Sequence, residues 1–269
     1  RADAGAEGVD AFGHGGSQGA GAKRPIRSGL TCPAQHPVPE VGLAYLEKEE
    51  AGGRCLMMDA AEVERFFTRS DGSYLFARWG RPIAPIVFGV EDATLAVVKG
   101  ALEAVCAMAG HHMAETDPEL GTNVMMFFFR DWNELLDVPD LDRLIDGLAP
   151  LVAKLSAAEA NQYRVFRFDA AGAIKACFVF LRMDDVMSSQ PAETLALSQV
   201  VQSVVLWSDT AFTDRSPLGQ LEDGRVVLRP EIGALIRAAY DPVMPAMADD
   251  PAHALRLSAR MQVAHGGAN

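Results

Sequence analysis

The sequence predicts an α+β domain in which a mixed sheet, containing an antiparallel hairpin, packs with helices. Three observations carry that prediction. Runs of strand composition alternate with runs at helical spacing along most of the chain. Two strand-like runs are separated only by Asp169, Ala170, Ala171 and Gly172, a hairpin signal. Val124–Phe129 is apolar at every position, as a strand covered on both faces requires. At 269 residues the chain is long enough to bury a sizeable core.

Its 24 Lys plus Arg stand against 36 Asp plus Glu, a net charge of -12. Nucleic acid is excluded as a partner on that balance, because displacing its counterions needs clustered cations and no basic stripe is present. No apolar run approaches the ~20 residues that span a bilayer, so the chain is not expected to be membrane-spanning.

Residues 1–30 are rich in Gly and Ala without apolar periodicity and read as a flexible tether. Gly13, Gly15, Gly16 and Gly19 resemble a phosphate loop only in composition, with no strand before them and no helix after. Residues 31–77 read as an N-terminal extension, with Pro33, Pro37 and Pro39 in loops and amphipathic stretches at Leu43–Glu49 and Ala60–Thr68. Met57, Met58, Phe66, Phe67, Tyr74 and Trp79 either pack this extension on the main domain or form an apolar partner-binding patch.

The main domain is expected over 78–250, with a C-terminal tail over 251–269. Ile83–Val90 is β-rich, and Pro82 and Pro85 confine it to a strand start or an edge. Asp92 is placed to cap a helix in which Leu95, Val98, Leu102 and Val105 recur until Gly110 stops it. A Leu-rich helical region follows at about Leu141–Leu155. Tyr163–Phe168 and Ile174–Leu181 form the hairpin, Glu193–Trp207 is a long apolar helix, and Pro230–Tyr240 is another with Pro at its first position.

Four cysteines contain no C-x-x-C pair. Cys106 and Cys177 lie in apolar runs and read as core residues. Cys32 and Cys55 lie in loop-like sequence, and a disulfide between them is an open alternative to two free thiols. A chain that begins at Arg1 fits either a trimmed chain or one that has lost a signal peptide.

The order of strand, helix, strand, hairpin, helix, loop and helix resembles the catalytic core of zincin metalloproteases. There the helix after the hairpin carries H-E-x-x-H, whose His residues share one face and hold Zn²⁺ while the Glu polarises the metal-bound water. On that pattern Ser198 and Gln202 replace two ligands, Gln199 replaces the Glu, and Ser208 stands at a third ligand position, with Asp209 beside it. The chain is also similar to an uncharacterised bacterial family of secreted proteins and lipoproteins. Gln202, Leu206 and Asp209 match its stretch on this helix, whereas Val205 and Ser208 depart from it. Arg78, Trp79, Pro82 and Ile83, and the stretch from Ala239 to Met247, resemble the same family.

These resemblances imply a zincin-like mixed sheet with no metal and no cofactor. The expected function is a non-catalytic binding or structural protein of the cell envelope or an exported assembly, with another protein as its partner. Ser198, Gln199, Gln202, Ser208 and Asp209 then form either a ligand groove or merely the polar edge of a buried helix. The alternative is a hydrolase with displaced active-site residues, using Asp184, Asp185 or Asp209. Asp184, Asp185 and Glu193 read more simply as a solvated edge. His111 and His112, with Glu115 and Asp117 nearby, read as a solvated helix end, since adjacent helical residues diverge by about 100°.

Overall fold

The computed structural model describes residues 58–266. Its centre is a four-stranded sheet in the order β2 (Pro85–Phe88), β3 (Val124–Phe129), β5 (Ile174–Arg182), β4 (Gln162–Phe168). The first three strands are parallel, and β4 runs antiparallel to β5 through the expected hairpin. Pro85 opens β2, which is an edge strand, where its missing N–H costs no ladder bond. The fold is therefore α+β with a mixed sheet.

Alternation along the two central strands separates two cores. Val124, Met126, Cys177, Val179 and Leu181 face one side, and Phe127, Phe129, Phe178 and Phe180 face the other. The first side is covered by α2 (Asp92–Ala109), α6 (Ala192–Val204) and α7 (Pro230–Ala239). The second is covered by a 3₁₀ turn over Trp132–Asp137, α3 (Leu141–Leu144) and α4 (Leu148–Ala157). The Leu-rich region is thus two helices, because the chain leaves helical geometry at Ile145 and turns left-handed at Gly147 before α4 begins. In α2, Glu91 rather than Asp92 holds the N-cap position, and Gly110 closes the helix at φ 66°. Gly89 is fixed by a close approach as well as by its φ of +81°, since a Cβ there would lie 2.0 Å from the Phe128 carbonyl oxygen.

The boundary expected at residue 78 does not separate two bodies. α1 (Ala60–Arg65), the turn after it and β1 (Phe76–Ala77) contribute Val63, Phe67 and Phe76 to the same core as α2 and α6, and β1 pairs with the short strand Met247–Ala248. Met58, Tyr74 and Trp79 are likewise buried, which supports the packing reading of that aromatic and Met group. Residues set apart as a tail form α8 (Ala252–Gly266), which packs on α1 and α7. Ala254, Leu257, Ser258 and Met261 recur at three- and four-residue spacing and all are buried, so this helix completes the core. The 1–30 tether, most of the 31–77 extension, Met57 and the Cys32–Cys55 pair lie outside the described residues.

Candidate functional site

The helix expected over Glu193–Trp207 ends at Val204, and Val205 is extended at φ -137°, ψ 149°. Local sequence gives no stop signal there. The end is imposed by three aromatic donors: Trp207 Nε1 donates to the Val201 carbonyl at 2.9 Å, Trp79 Nε1 to Ser203 at 2.9 Å, and Tyr240 Oη to Val204 at 2.6 Å. These bonds satisfy carbonyls that a helix C-terminus leaves open. Leu206 N–H then donates to the Ala77 carbonyl, turning the chain onto β1. Two of the short stretches singled out in the sequence therefore meet around this helix end. Arg78 joins them by donating to the Met244 carbonyl and by lying 5.4 Å above the Tyr240 ring.

The early end of α6 divides the expected groove. Ser198, Gln199 and Gln202 remain on the helix, facing β4. Ser208 and Asp209 lie beyond it and turn toward α1, a correction to the single groove expected. Ser208 is buried, with its N–H on the Phe66 carbonyl at 2.8 Å. Asp209 is exposed and accepts from the backbone N–H and the hydroxyl of Ser70, which hold its carboxyl below the usual range. Both are tied to structural partners.

Facing Ser198, Gln199 and Gln202 is Arg164 of β4, a residue that sequence reasoning passed over. Its guanidinium donates to Gln199 Oε1, to Gln202 Oε1 at 3.2 Å and weakly to Gln162 Oε1 at 3.5 Å. Gln199 Nε2 in turn donates to Gln162 Oε1 at 3.1 Å, and Gln202 Nε2 to Ser198 Oγ at 2.9 Å. Gln199 is buried, while Arg164, Ser198 and Gln202 are half-buried and Gln162 is exposed, so the cluster runs from the core to the surface between α6 and the sheet edge. No described carboxylate forms an ion pair with Arg164. Burial pulls its pKa down to about 10, and it remains a cation at neutral pH. The signal in the sequence was alternation: Arg164 shares its strand face with Phe166, which points into the core beneath α6.

Other candidate groups have structural partners. His111 is half-buried rather than solvated: its Nε2 lies 3.0 Å from the Arg81 carbonyl and its ring lies against Tyr240. Asp117, also expected at a solvated end, is buried and accepts from the backbone of Glu119 and Leu120 and from Asn123 Nδ2. Asp184 caps α5 (Asp185–Ser188) through the Met187 N–H and pairs with Arg182 at 3.3 Å, whereas Asp185 is exposed. Among the described residues, no three His, Cys, Asp or Glu side chains converge as metal ligands.

The described cavities lie elsewhere. One, of about 590 Å³, is lined by Phe66, Phe212, Arg215, Arg229 and Glu231 among others. Its Arg215 is already neutralised by Glu231 at 2.9 Å, and Arg229 donates to the Ser216 carbonyl. Another, of about 320 Å³, sits at the carboxyl ends of β2 and β3 with Val98, Phe128 and Leu195 in its lining. The cluster at Arg164 differs from both in placing a cation with no described counter-charge beside an open edge of the central sheet.

Comparison with protein-family models, with curated proteins and with solved structures found no match, so the functional reading rests on the fold and on this seam.

Proposed function

We propose that this chain is a non-catalytic binding protein of the cell envelope or of an exported assembly, built on a zincin-like layout in which a guanidinium takes the place of the metal. One observation carries the reading. Arg164 donates to the side-chain oxygens of Gln199 and Gln202, the residues that stand at the general-base and second-ligand positions of the H-E-x-x-H pattern. A fixed positive charge at that point repels a divalent cation and occupies the oxygens that would otherwise face it. It also explains why these positions carry amides, which solvate a guanidinium without needing to be deprotonated.

The seam is suited to an extended protein segment. Among the described residues no strand pairs with the outer edge of β4, and Tyr163 and Phe168 on that strand are exposed. An open edge with apolar side chains is a template for strand addition. The exported setting and a protein partner rest on the family resemblance and on the acidic charge. Of the residues the hydrolase alternative would use, Asp184 and Asp209 are each committed to a separate structural bond, and Asp185 is exposed at the start of α5.

Two measurements on the full chain test the reading. The first is hydrolysis of a quenched fluorescent peptide library with Zn²⁺, Co²⁺ or Mn²⁺ added in turn, for which no metal-dependent turnover is expected. Turnover that disappears in Gln199→Ala would establish the hydrolase instead. The second is photo-crosslinking in the native cell from a residue analogue at Gln162. Crosslinks to a discrete protein, lost when the analogue is moved to the opposite face of the molecule, are expected; no crosslinked species at all would count against a binding role.

A further inference from the structure

We infer that the seam between β4 and α6 recognises a carboxylate carried on a peptide, with Arg164 as its counter-charge and Ser198, Gln202 and Gln162 as flanking donors. The inference rests on the binding reading above and names the chemistry of its ligand.

Donor and acceptor bookkeeping leads to it. A guanidinium has five N–H donors. Arg164 uses its contacts to Gln199, Gln202 and Gln162, so a second hydrogen on Nη1 has no acceptor, whereas its Nε is buried out of a ligand's reach. The amide oxygens of Gln199, Gln202 and Gln162 are all accepting already. The cluster keeps open donors: the Ser198 hydroxyl, which accepts from Gln202 and has no acceptor of its own, one N–H of Gln202, and the amide of Gln162. A cluster centred on a cation and carrying several open donors favours an acceptor of negative charge.

Charge points the same way. The chain carries 36 acidic residues, yet none of those described pairs with Arg164. Arg81, by contrast, has both Asp117 and Glu119, and Arg260 has Asp241 at 2.6 Å. Holding a cation half-buried on neutral amides alone is costly, and a ligand carboxylate recovers that cost on binding. The open donors lie beside the outer edge of β4, which no described strand covers. That edge supplies the backbone bonds of an extended peptide, and its acidic side chain or C-terminus reaches the guanidinium.

The test is titration of the full chain, by fluorescence anisotropy, with three labelled peptides: acetyl-Val-Thr-Val with a free C-terminal carboxylate, the same peptide amidated, and acetyl-Val-Glu-Val amide. Either carboxylate is expected to bind at least about tenfold more tightly than the neutral amide. In Arg164→Met that preference disappears. Arg164→Lys, which keeps the charge and serves if the Met variant folds poorly, retains a weakened preference. Ser198→Ala loses a few-fold for the carboxylates and leaves the amide unchanged. Equal binding of acid and amide, no binding of any peptide into the millimolar range, or a preference that survives Arg164→Met overturns the inference. Equal binding leaves the binding reading intact, whereas metal-dependent cleavage of these peptides removes that reading itself.

Discussion

Arg164 illustrates how one residue can decide the character of a site. Its guanidinium is solvated by glutamine oxygens on α6, and those oxygens are in turn satisfied by it, so the members of the cluster depend on one another. Arg164→Met is expected to cost about 1–3 kcal/mol, because it strands the buried carbonyl of Gln199. Gln199→Leu is expected to cost a similar amount by removing a partner of the cation. The double variant should cost less than the sum of the two, which a denaturant double-mutant cycle measures. Asn123 is a second residue of this kind, fully buried with its Oδ1 on the Ala84 N–H and its Nδ2 on the Pro82 carbonyl and Asp117. Asn123→Ala leaves the Ala84 N–H and the Pro82 carbonyl without this partner and removes one of several donors to Asp117, with an expected loss of about 2–4 kcal/mol in the same assay. Burial pushes both Cys106 and Cys177 up to about 12. Neither is expected to react with iodoacetamide at pH 8 until the protein unfolds, which mass spectrometry of the native and denatured chain checks.

Among the elements, α8 shows best how the terminal segment supports the rest. Leu257, fully buried against the core shared with α1 and α7, is expected to lose about 2–5 kcal/mol as Leu257→Ala. His253 on the same helix is buried, with Nδ1 2.9 Å from Tyr74 Oη and its ring 4.3 Å from Phe76. Burial lowers its pKa to about 4 from an ordinary 6.5, so the folded state favours the neutral ring. Stability is then fully present above pH 6.5 and is lost as pH falls from 6.5 toward 4, by up to about 3 kcal/mol. Denaturant midpoints across that range should fall for the native chain and stay flatter for His253→Phe. The elements differ in how far local sequence announces them. α2 is legible because its apolar spacing runs cleanly from Asp92 to Ala109 and Gly110 stops it. The hairpin is legible because Asp169 and Gly172 fit its turn: Asp169 Oδ1 accepts from Ala171 and Ala173, and Gly172 takes φ 80°. The end of α6 is hidden in the run Val204–Trp207, because the donors that stop it include Trp79 and Tyr240, far away in sequence. α8 is obscured because Leu255 and Val263 are exposed beside its buried stripe, which blurs the pattern.

At the scale of the whole molecule, one sheet separates two cores, and its two edges have different roles. β2 starts with Pro85 and follows a Pro-containing segment, a poor template for a further strand. β4 carries Arg164 toward α6 and presents an open outer edge among the described residues. The candidate site was half legible in the sequence: Ser198, Gln199 and Gln202 could be found by laying the helix on a known pattern. Arg164 was signalled only by its alternation with Phe166, a weak cue because a charged residue in a strand ordinarily reads as solvent-facing, and the pairing of β4 with β5 beneath α6 turns it inward. Ser208 and Asp209 were grouped with the site by helical spacing, and they leave it because α6 ends before them.

The most direct test of this seam as the binding face is backbone and side-chain amide NMR of the full chain, titrated with acetyl-Val-Glu-Val amide. The expected result is a set of shift changes confined to Gln162–Phe168 and Ser198–Gln202, including the side-chain amides of Gln199 and Gln202 and the guanidinium of Arg164. Shift changes centred on the cleft of Phe66, Phe212 and Arg215, with the Arg164 cluster unmoved, would contradict it.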